Sequence, residues 1–232
     1  MVRRLLGSRY RVRSILTSAA ALETLGDALS LHPDVPRYVA STAVVRAITG
    51  FRFHHGCLAL GERGAELPTA DLLAATAPRA LVVLEQIRDP ENVGSIFRNA
   101  LGLGARGALL SPGTADPLYR KAIRVSAGAT LSLPYSWASE WPAQLWRLRD
   151  RGYRLVGLTP DKNAVDITEM DGGVPGTDHI ALVLGSEAEG LSPPVRAGVD
   201  MRVRIATVPG FDSLNVAAAV GIALHRLLAE LS

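Results

Sequence analysis

The chain has 232 residues, of which 48% are hydrophobic and 20% charged, and its formal net charge is +3. This composition excludes an intrinsically disordered chain, and the lack of a run of about eighteen apolar residues argues against a membrane-spanning helix. The only cysteine, Cys57, cannot form an internal disulfide, and the basic N-terminus lacks the apolar core of a secretion signal, so we expect a cytoplasmic protein.

Residues 1–65 are predicted to form a small α/β domain, because short apolar runs alternate with helical patterns. Strands are indicated at 13–18, 35–41 and 56–62, and helices at 20–30 and 42–50. Residues 1–79 contain ten Arg or Lys against six Asp or Glu, so the basic excess lies in this part. A basic patch is typical of a nucleic-acid surface, although a solvated arginine-rich face explains it equally well.

Residues 66–79, with two prolines and many small residues, are interpreted as a linker to a larger α/β domain at 80–232. Its predicted strands are apolar on both faces, as a parallel sheet covered on both sides requires. They lie at 80–87, 107–111, 154–159, 180–186 and 201–206. Helices are predicted at 91–103, 116–126, 140–151, 193–198 and 213–231. The last helix is apolar nearly all round, which favours burial in the core or in a subunit interface.

The segment 88–101 is predicted to be a helix with two different faces. Asp89 suits the N-cap and Pro90 the first helical position. One stripe at helical spacing is apolar: Val93, Ile96, Phe97, Ala100 and Leu101. The opposite side is polar, with Asn92, Ser95 and Asn99, and Arg98 on its flank. Ligands bind outside the carboxyl ends of parallel strands, where this helix begins, but a solvated face also explains the pattern.

Two further segments place polar residues after predicted strands. Gly185 and Gly190 flank Glu187, and glycine lets a backbone approach a ligand closely. In the last segment, Asp212 or Ser213 is expected to cap the final helix, with Asn215 in its first turn. The dinucleotide fingerprint of three spaced glycines is absent, which argues against a nucleotide-binding oxidoreductase.

Three stretches, NVGSIFRNA (92–100), LVLGSEAEGL (182–191) and IATVPGFDSLNVAAAVGIAL (205–224), together resemble the three motifs of the SpoU (TrmH-type) RNA ribose 2′-O-methyltransferases of the SPOUT superfamily. The resemblance covers about residues 80–232, and three motifs in this order are specific. It implies a knotted (trefoil) α/β domain with a mostly parallel sheet. The first domain resembles the small ribosomal-protein-like substrate-binding domain that often precedes it.

The resemblance also implies a function: S-adenosylmethionine-dependent methylation of a ribose 2′-hydroxyl in rRNA or tRNA, by a homodimer that needs no metal. The positions that match catalytic residues are Asn92, Arg98, Glu187, Ser213 and Asn215. The positions that match cofactor-binding residues are Leu158, Thr159, Leu184, Gly185, Gly190, Ile205, Val208 and Leu214. A catalytically inactive RNA-binding or ribosome-associated protein of the same fold is the alternative.

The sequence departs from the family's pattern at three places. Ala188 stands where a glycine is common, and Ala206 where a proline is common, so altered loop stiffness is expected. The family also leads us to expect a strand before residue 13, so either the first domain is shortened or the start is set too late.

Overall fold

In a computed structural model, the chain forms two compact units, Met1–Ala65 and Glu66–Ser232. The structure describes residues 1–50, 56–74, 80–170, 179–211 and 213–228. Asp212, one of the two expected caps of the final helix, lies outside these residues. None of the helices in the described ranges is both long and apolar enough to cross a membrane.

The first unit is a three-stranded sheet with helices. Its elements are α1 (Val2–Leu6), β1 (Val12–Thr17), α2 (Ala19–Ser30), β2 (Arg37–Val39), α3 (Thr42–Thr49) and β3 (Cys57–Gly61). The strand order is β2-β1-β3, in which β1 pairs parallel with β2 and antiparallel with β3. The predicted strands and helices of this unit are therefore confirmed.

Local sequence signals explain where the helices of the first unit begin and end. The side chains of Ser18 and Ser41 accept hydrogen bonds from the first turns of α2 and α3. Gly50 ends α3 at a φ of 73°, in the left-handed region that glycine enters without strain. Ile15 and Leu29 are almost fully buried between the sheet and α2.

The second unit is built on a seven-stranded parallel sheet. Its strands are β4 (Ala80–Leu84), β5 (Gly107–Leu110), β6 (Tyr135–Trp137), β7 (Arg154–Leu158), β8 (Val165–Asp166), β9 (Ile180–Leu184) and β10 (Met201–Arg204). Their order is β6-β5-β4-β9-β7-β10-β8. The five predicted strands are confirmed, whereas the very short edge strands β6 and β8 were not predicted.

The helices of the second unit cover both faces of the sheet. They are α4 (Thr69–Ala74), α5 (Pro90–Gly102), α6 (Arg120–Val125), α7 (Ala143–Arg149), α8 (Pro193–Gly198) and α9 (Val216–Leu228). Alternate residues of the central strands point to opposite faces, so Val82 packs with α5 and α9, and Val83 with α7 and α8. Helix α4 lies within the segment 66–79 that was predicted to be a linker, and its Leu72 is buried.

Helix α5 is held by the stripe that the sequence predicted. Val93, Ile96 and Phe97 have no exposed surface. Burial of each such side chain contributes about 1.5–3 kcal/mol to folding. Helix α9 packs against α5 and is buried in its own unit through Val220 and Leu224, which confirms the expected burial.

We predict that Gly94→Ala destabilises the second unit, because its new Cβ would lie 2.6 Å from the carbonyl oxygen of Ala122 in α6. Overpacking of this kind costs about 1–3 kcal/mol. The matched control is Gly102→Ala at the end of the same helix, where a Cβ has no atom within 4 Å. Alanine favours helix over glycine by up to about 1 kcal/mol, so this control should be neutral or stabilising. Denaturant unfolding measures both, and equal stability of the two variants would contradict the close contact.

Candidate active site

Four loops meet at one edge of the parallel sheet. Leu84 at the end of β4 pairs with Leu184 at the end of β9, and Leu184 pairs with Leu158 at the end of β7. Leu158 in turn pairs with Val203 in β10. Because all four strands run the same way, the loops that follow them lie along the same carboxyl edge. The three sequence motifs are parts of these loops or directly follow them.

The first motif enters this edge through the N-terminus of α5. Asp89 caps the helix, since its side chain accepts the backbone N–H of Glu91 at 2.9 Å, and Pro90 occupies the first position. Both features were predicted. They place Asn92 in the first turn, partly buried, beside the carboxyl end of β4.

The second motif forms a tight turn at residues 185–190, which we call the glycine turn. Ser186 and Gly190 exchange backbone hydrogen bonds of 3.1 and 2.9 Å, and Gly190 has a φ of 67°. A Cβ on Gly185 would lie 2.0 Å from the carbonyl carbon of Gly190, so this position requires glycine. The turn leaves Glu187 exposed beyond the end of β9.

A chain of hydrogen bonds connects the three motifs. Asn92 donates through Nδ2 to Glu187 Oε1 at 2.7 Å, and accepts at Oδ1 from Asn215 Nδ2 at 2.9 Å. Asn215 Oδ1 accepts the backbone N–H groups of Ala217 and Ala218, at 2.9 and 3.3 Å. Three of the five predicted catalytic side chains are therefore in direct contact.

The direction of this chain is fixed by its two ends. Backbone N–H groups can only donate, so the acceptor oxygen of Asn215 must face α9 and its amide nitrogen must face Asn92. The amide oxygen of Asn92 is therefore the acceptor for Asn215, and its amide nitrogen donates to the carboxylate of Glu187. The positive end of the α9 dipole lies at the start of the chain and the carboxylate at its end, which is a favourable order.

Asn215 is the N-cap of α9, which corrects the predicted cap at Asp212 or Ser213. The helix begins at Val216, three residues later than predicted. An asparagine caps as well as a serine, so local sequence alone did not separate the two positions. Asn215 also donates to Asn92, a contact that sequence spacing does not show.

Arg98 and Ser213 stand apart from this chain of hydrogen bonds. Both side chains are exposed, and within the described ranges neither has a hydrogen bond or an ion pair. Arg98 lies about 9 Å along α5 from Asn92 and about 120° around its axis. Asn99, predicted on the polar face, instead donates to the carbonyl of Ala217 at 2.7 Å, so α9 covers part of that face.

The positions that match cofactor-binding residues cluster at the carboxyl ends of three adjacent strands. Leu158 ends β7 and Leu184 ends β9, and Thr159, Gly185 and Ile205 directly follow β7, β9 and β10. Leu184 is buried, whereas the other four are partly buried. The remaining three are Gly190 in the glycine turn, exposed Val208 and partly buried Leu214.

Two ion pairs that the sequence did not suggest hold the loop after β7. Arg202 contacts Asp161 and Arg204 contacts Asp166, each at 2.9 Å. Backbone and side-chain hydrogen bonds from Thr168, together with Arg204, lower the pKa of Asp166. The two arginines are two residues apart in β10, so their side chains point to the same face of the sheet. This spacing was the only sign of the two ion pairs in the sequence.

The first unit has a basic cleft of about 610 Å³. Its polar lining includes Arg9, Tyr10, Arg11, Arg13 and His32, against one acidic residue, Asp34. Arg13 is paired with Glu62 at 2.8 Å, and the guanidinium of Arg9 lies 5.0 Å from the ring centre of Tyr10. Arg11 is exposed, so the cleft presents positive charge to solvent. Across the described part of the chain, no group of three or more His, Cys, Asp or Glu could hold a metal ion.

Comparison with known proteins was made by sequence and by structure. A model of the SpoU rRNA methylase family matches residues 79–225. An uncharacterised tRNA/rRNA methyltransferase of Mycobacterium bovis is 40% identical over 226 residues, which are 97% of this chain and 77% of that protein. These matches cover both the second unit and most of the first.

Two solved structures share the fold over nearly the whole chain. The SpoU methyltransferase AviRb of Streptomyces viridochromogenes, in complex with the cofactor AdoMet, matches with a TM-score of 0.81 at 24% identity, covering 99% of this chain and 87% of AviRb. An RNA 2′-O ribose methyltransferase matches with a TM-score of 0.75 at 25% identity, covering 99% of this chain and 85% of that protein.

We predict that Asn215→Ala lowers the free energy of unfolding by about 1 kcal/mol, because two N–H groups of α9 lose their acceptor. The matched variant Asn215→Ser keeps a capping oxygen but has no amide to donate to Asn92. It should retain most of the stability while leaving the amide oxygen of Asn92 without its donor. Denaturant unfolding compares the two, and equal losses would show that capping is not what Asn215 contributes.

Proposed function

The chain belongs to the SpoU rRNA methylase family, and we propose that it methylates a ribose 2′-hydroxyl in structured RNA. The observation that carries this proposal is the chain of hydrogen bonds from Glu187 through Asn92 and Asn215 to α9. It joins all three motifs at the edge of the sheet where ligands bind. The similarity to an RNA 2′-O ribose methyltransferase supports the ribose as acceptor.

S-adenosylmethionine is the methyl donor, and it supplies a sulfonium-bound methyl group. The carboxyl edge suits such a molecule, because strand-end backbone and the partly buried side chains of Leu158, Ile205 and Leu214 combine polar and apolar contacts. In the glycine turn, the backbone of Gly190 fills the space beside Gly185, whereas a Cβ on Gly190 would meet no atom within 4 Å, so a ligand can approach the backbone at Gly190. We assign the donor to these residues together with Thr159, Leu184, Gly190 and Val208.

The chain's own residues have two tasks in this reaction. Methyl transfer to oxygen is an in-line displacement, so the 2′-hydroxyl must be held in line with the donor. The hydroxyl must also lose a proton. Arg98 is exposed and always protonated, so we assign it to orienting an RNA phosphate and polarising the hydroxyl, not to accepting the proton.

Glu187 and Ser213 complete the proposed substrate surface. Asn92 occupies one carboxylate oxygen of Glu187, which leaves acceptor capacity for a donor group of the ligand. The exposed hydroxyl of Ser213 can donate or accept.

We also propose that the first unit binds RNA and that the protein acts as a homodimer. The basic cleft around Arg11 supports the first role, since phosphate contacts dominate RNA affinity. Exposed apolar side chains at Val208 (72%), Phe211 (56%) and Ile222 (44%) support the second, because a second copy would cover them. The family relationship supports a trefoil knot in the second unit.

The first expected outcome is donor binding together with a specific methyl mark. Calorimetry should detect binding of S-adenosylmethionine to the full chain, and rRNA or tRNA from cells lacking the protein should lose one 2′-O-methyl group. Retained RNA binding without donor binding would instead support the catalytically inactive alternative. Loss of a base methyl group, with ribose marks intact, would overturn the assignment of the ribose hydroxyl.

Arg98→Lys should lower the methylation rate at least about tenfold, which corresponds to about 1.4 kcal/mol of transition-state stabilisation. Lysine keeps the charge but loses the planar pair of donors that holds a phosphate. Because Arg98 is exposed, stability should not change. The matched control is Arg106→Lys, also exposed in the same unit, which should leave the rate unchanged. Near-normal methylation by Arg98→Lys would refute the bidentate role.

Removal of residues 1–65 should weaken RNA binding more than donor binding. The remaining unit keeps all the residues assigned to the donor. Filter binding with RNA and calorimetry with S-adenosylmethionine measure the two affinities. In the full chain, Arg11→Glu should also weaken RNA binding, and the salt dependence of binding should decrease. Equal loss of both affinities on truncation would count against this division of labour.

A further inference from the structure

A buried carboxylate contacts residues on both sides of the glycine turn. Glu85, the residue after β4, is only 2% exposed, and no role was predicted for it. Burial of a carboxylate is costly unless hydrogen bonds compensate for lost water. Glu85 Oε1 accepts from Trp141 Nε1 at 2.8 Å and from Ser192 Oγ at 2.7 Å, and Oε2 accepts from Ser192 N at 2.9 Å.

Ser192 lies two residues after the glycine turn, at the start of α8. It precedes Pro193 at the start of α8, where a serine ordinarily caps the helix with its side chain. Its hydroxyl makes no cap and donates to Glu85 instead. Both donors of one residue are therefore directed at the carboxylate, which fixes the chain two residues beyond Gly190.

The backbone around Glu85 is fixed as well. The N–H of Glu85 donates to the carbonyl of Leu184 at 2.8 Å, immediately before the glycine turn. Gln86 takes a φ of 54°, unusual for a residue other than glycine, and its N–H donates to Ser111 Oγ at 2.9 Å. Glu85 thus holds the glycine turn from both sides, through Leu184 before it and Ser192 after it.

We infer that Glu85 is a positioning residue that fixes the glycine turn in the conformation that binds the methyl donor. The turn carries Gly185 and Gly190, assigned to the donor, and Glu187, bonded to Asn92. The side chain of Glu85 acts only through Ser192 and Trp141. The identity of the ligand in this inference rests on the proposed function. The effect of Glu85 on the turn does not.

The test is Glu85→Gln in the full chain. An amide has one acceptor oxygen where three donors converge, so the contact with Ser192 or Trp141 is lost with little change in volume. The dissociation constant for S-adenosylmethionine should rise about tenfold, the usual cost of a lost charge-assisted hydrogen bond. RNA affinity should fall less than donor affinity, since Glu187 is the only proposed RNA contact in the turn and Arg98 and the first unit are untouched. Amide exchange at residues 186–191 should accelerate in the donor-free protein.

The matched control is Glu140→Gln, which removes the same charge from an exposed residue next to Trp141 and should change none of these quantities. Unchanged donor affinity and unchanged exchange in Glu85→Gln would overturn the inference. So would a parallel loss of donor and RNA affinity with a lowered melting temperature, because that marks a purely structural residue. If Glu85→Gln fails to fold, Ser192→Ala is tested in its place. Faster amide exchange at residues 186–191 in that variant supports the inference, and unchanged amide exchange refutes it.

Failure of the proposed function gives a different result. If the wild-type protein does not bind S-adenosylmethionine, the ligand is wrong, but amide exchange in the donor-free variants still reports whether Glu85 fixes the turn. The two conclusions are therefore measured separately.

Discussion

The site depends on the parallel alignment of four neighbouring strands. Asn92 and Glu187 are 95 residues apart in the chain, and Asn92 and Asn215 are 123 apart. They meet because β4, β9, β7 and β10 all end at the same edge, so the loops after them converge. An antiparallel arrangement of the same strands would place alternate loops at opposite ends of the sheet.

Packing and polar contacts have separate tasks at this edge. Phe97 and its apolar neighbours fix the axis of α5, and Gly94 lets α6 approach it closely. With the helix fixed, Asn92 and Asn99 face α9 and bind its first turn. Side chains that are shared between two elements in this way are rigid, and rigid groups suit a reaction that depends on positioning.

The sequence predicted what local physics determines. The cap at Asp89, the buried stripe of α5 and the apolar strands each depend on a short stretch of sequence, and all were found. The resemblance to a family supplied the candidate residues, and the family is confirmed. The start of α9 was predicted wrongly, because serine and asparagine cap equally well and the contact of Asn215 with Asn92, 123 residues away, cannot be read from local sequence. Glu85 was missed for the same reason, since its partners follow it by 56 and 107 residues.

The direction of the hydrogen-bond chain has a consequence for biosynthesis. Its first donors are N–H groups at the start of α9, the last helix that the structure describes. A chain emerging from the ribosome can therefore form most of the sheet before Asn215 is available, yet Asn92 and Glu187 stay without their orienting partner until then. Contacts between such distant residues also form late, because closing long loops costs entropy. A chain that stops before Asn215 thus lacks the amide donor that orients Asn92, so the hydrogen-bond chain across the proposed site stays incomplete.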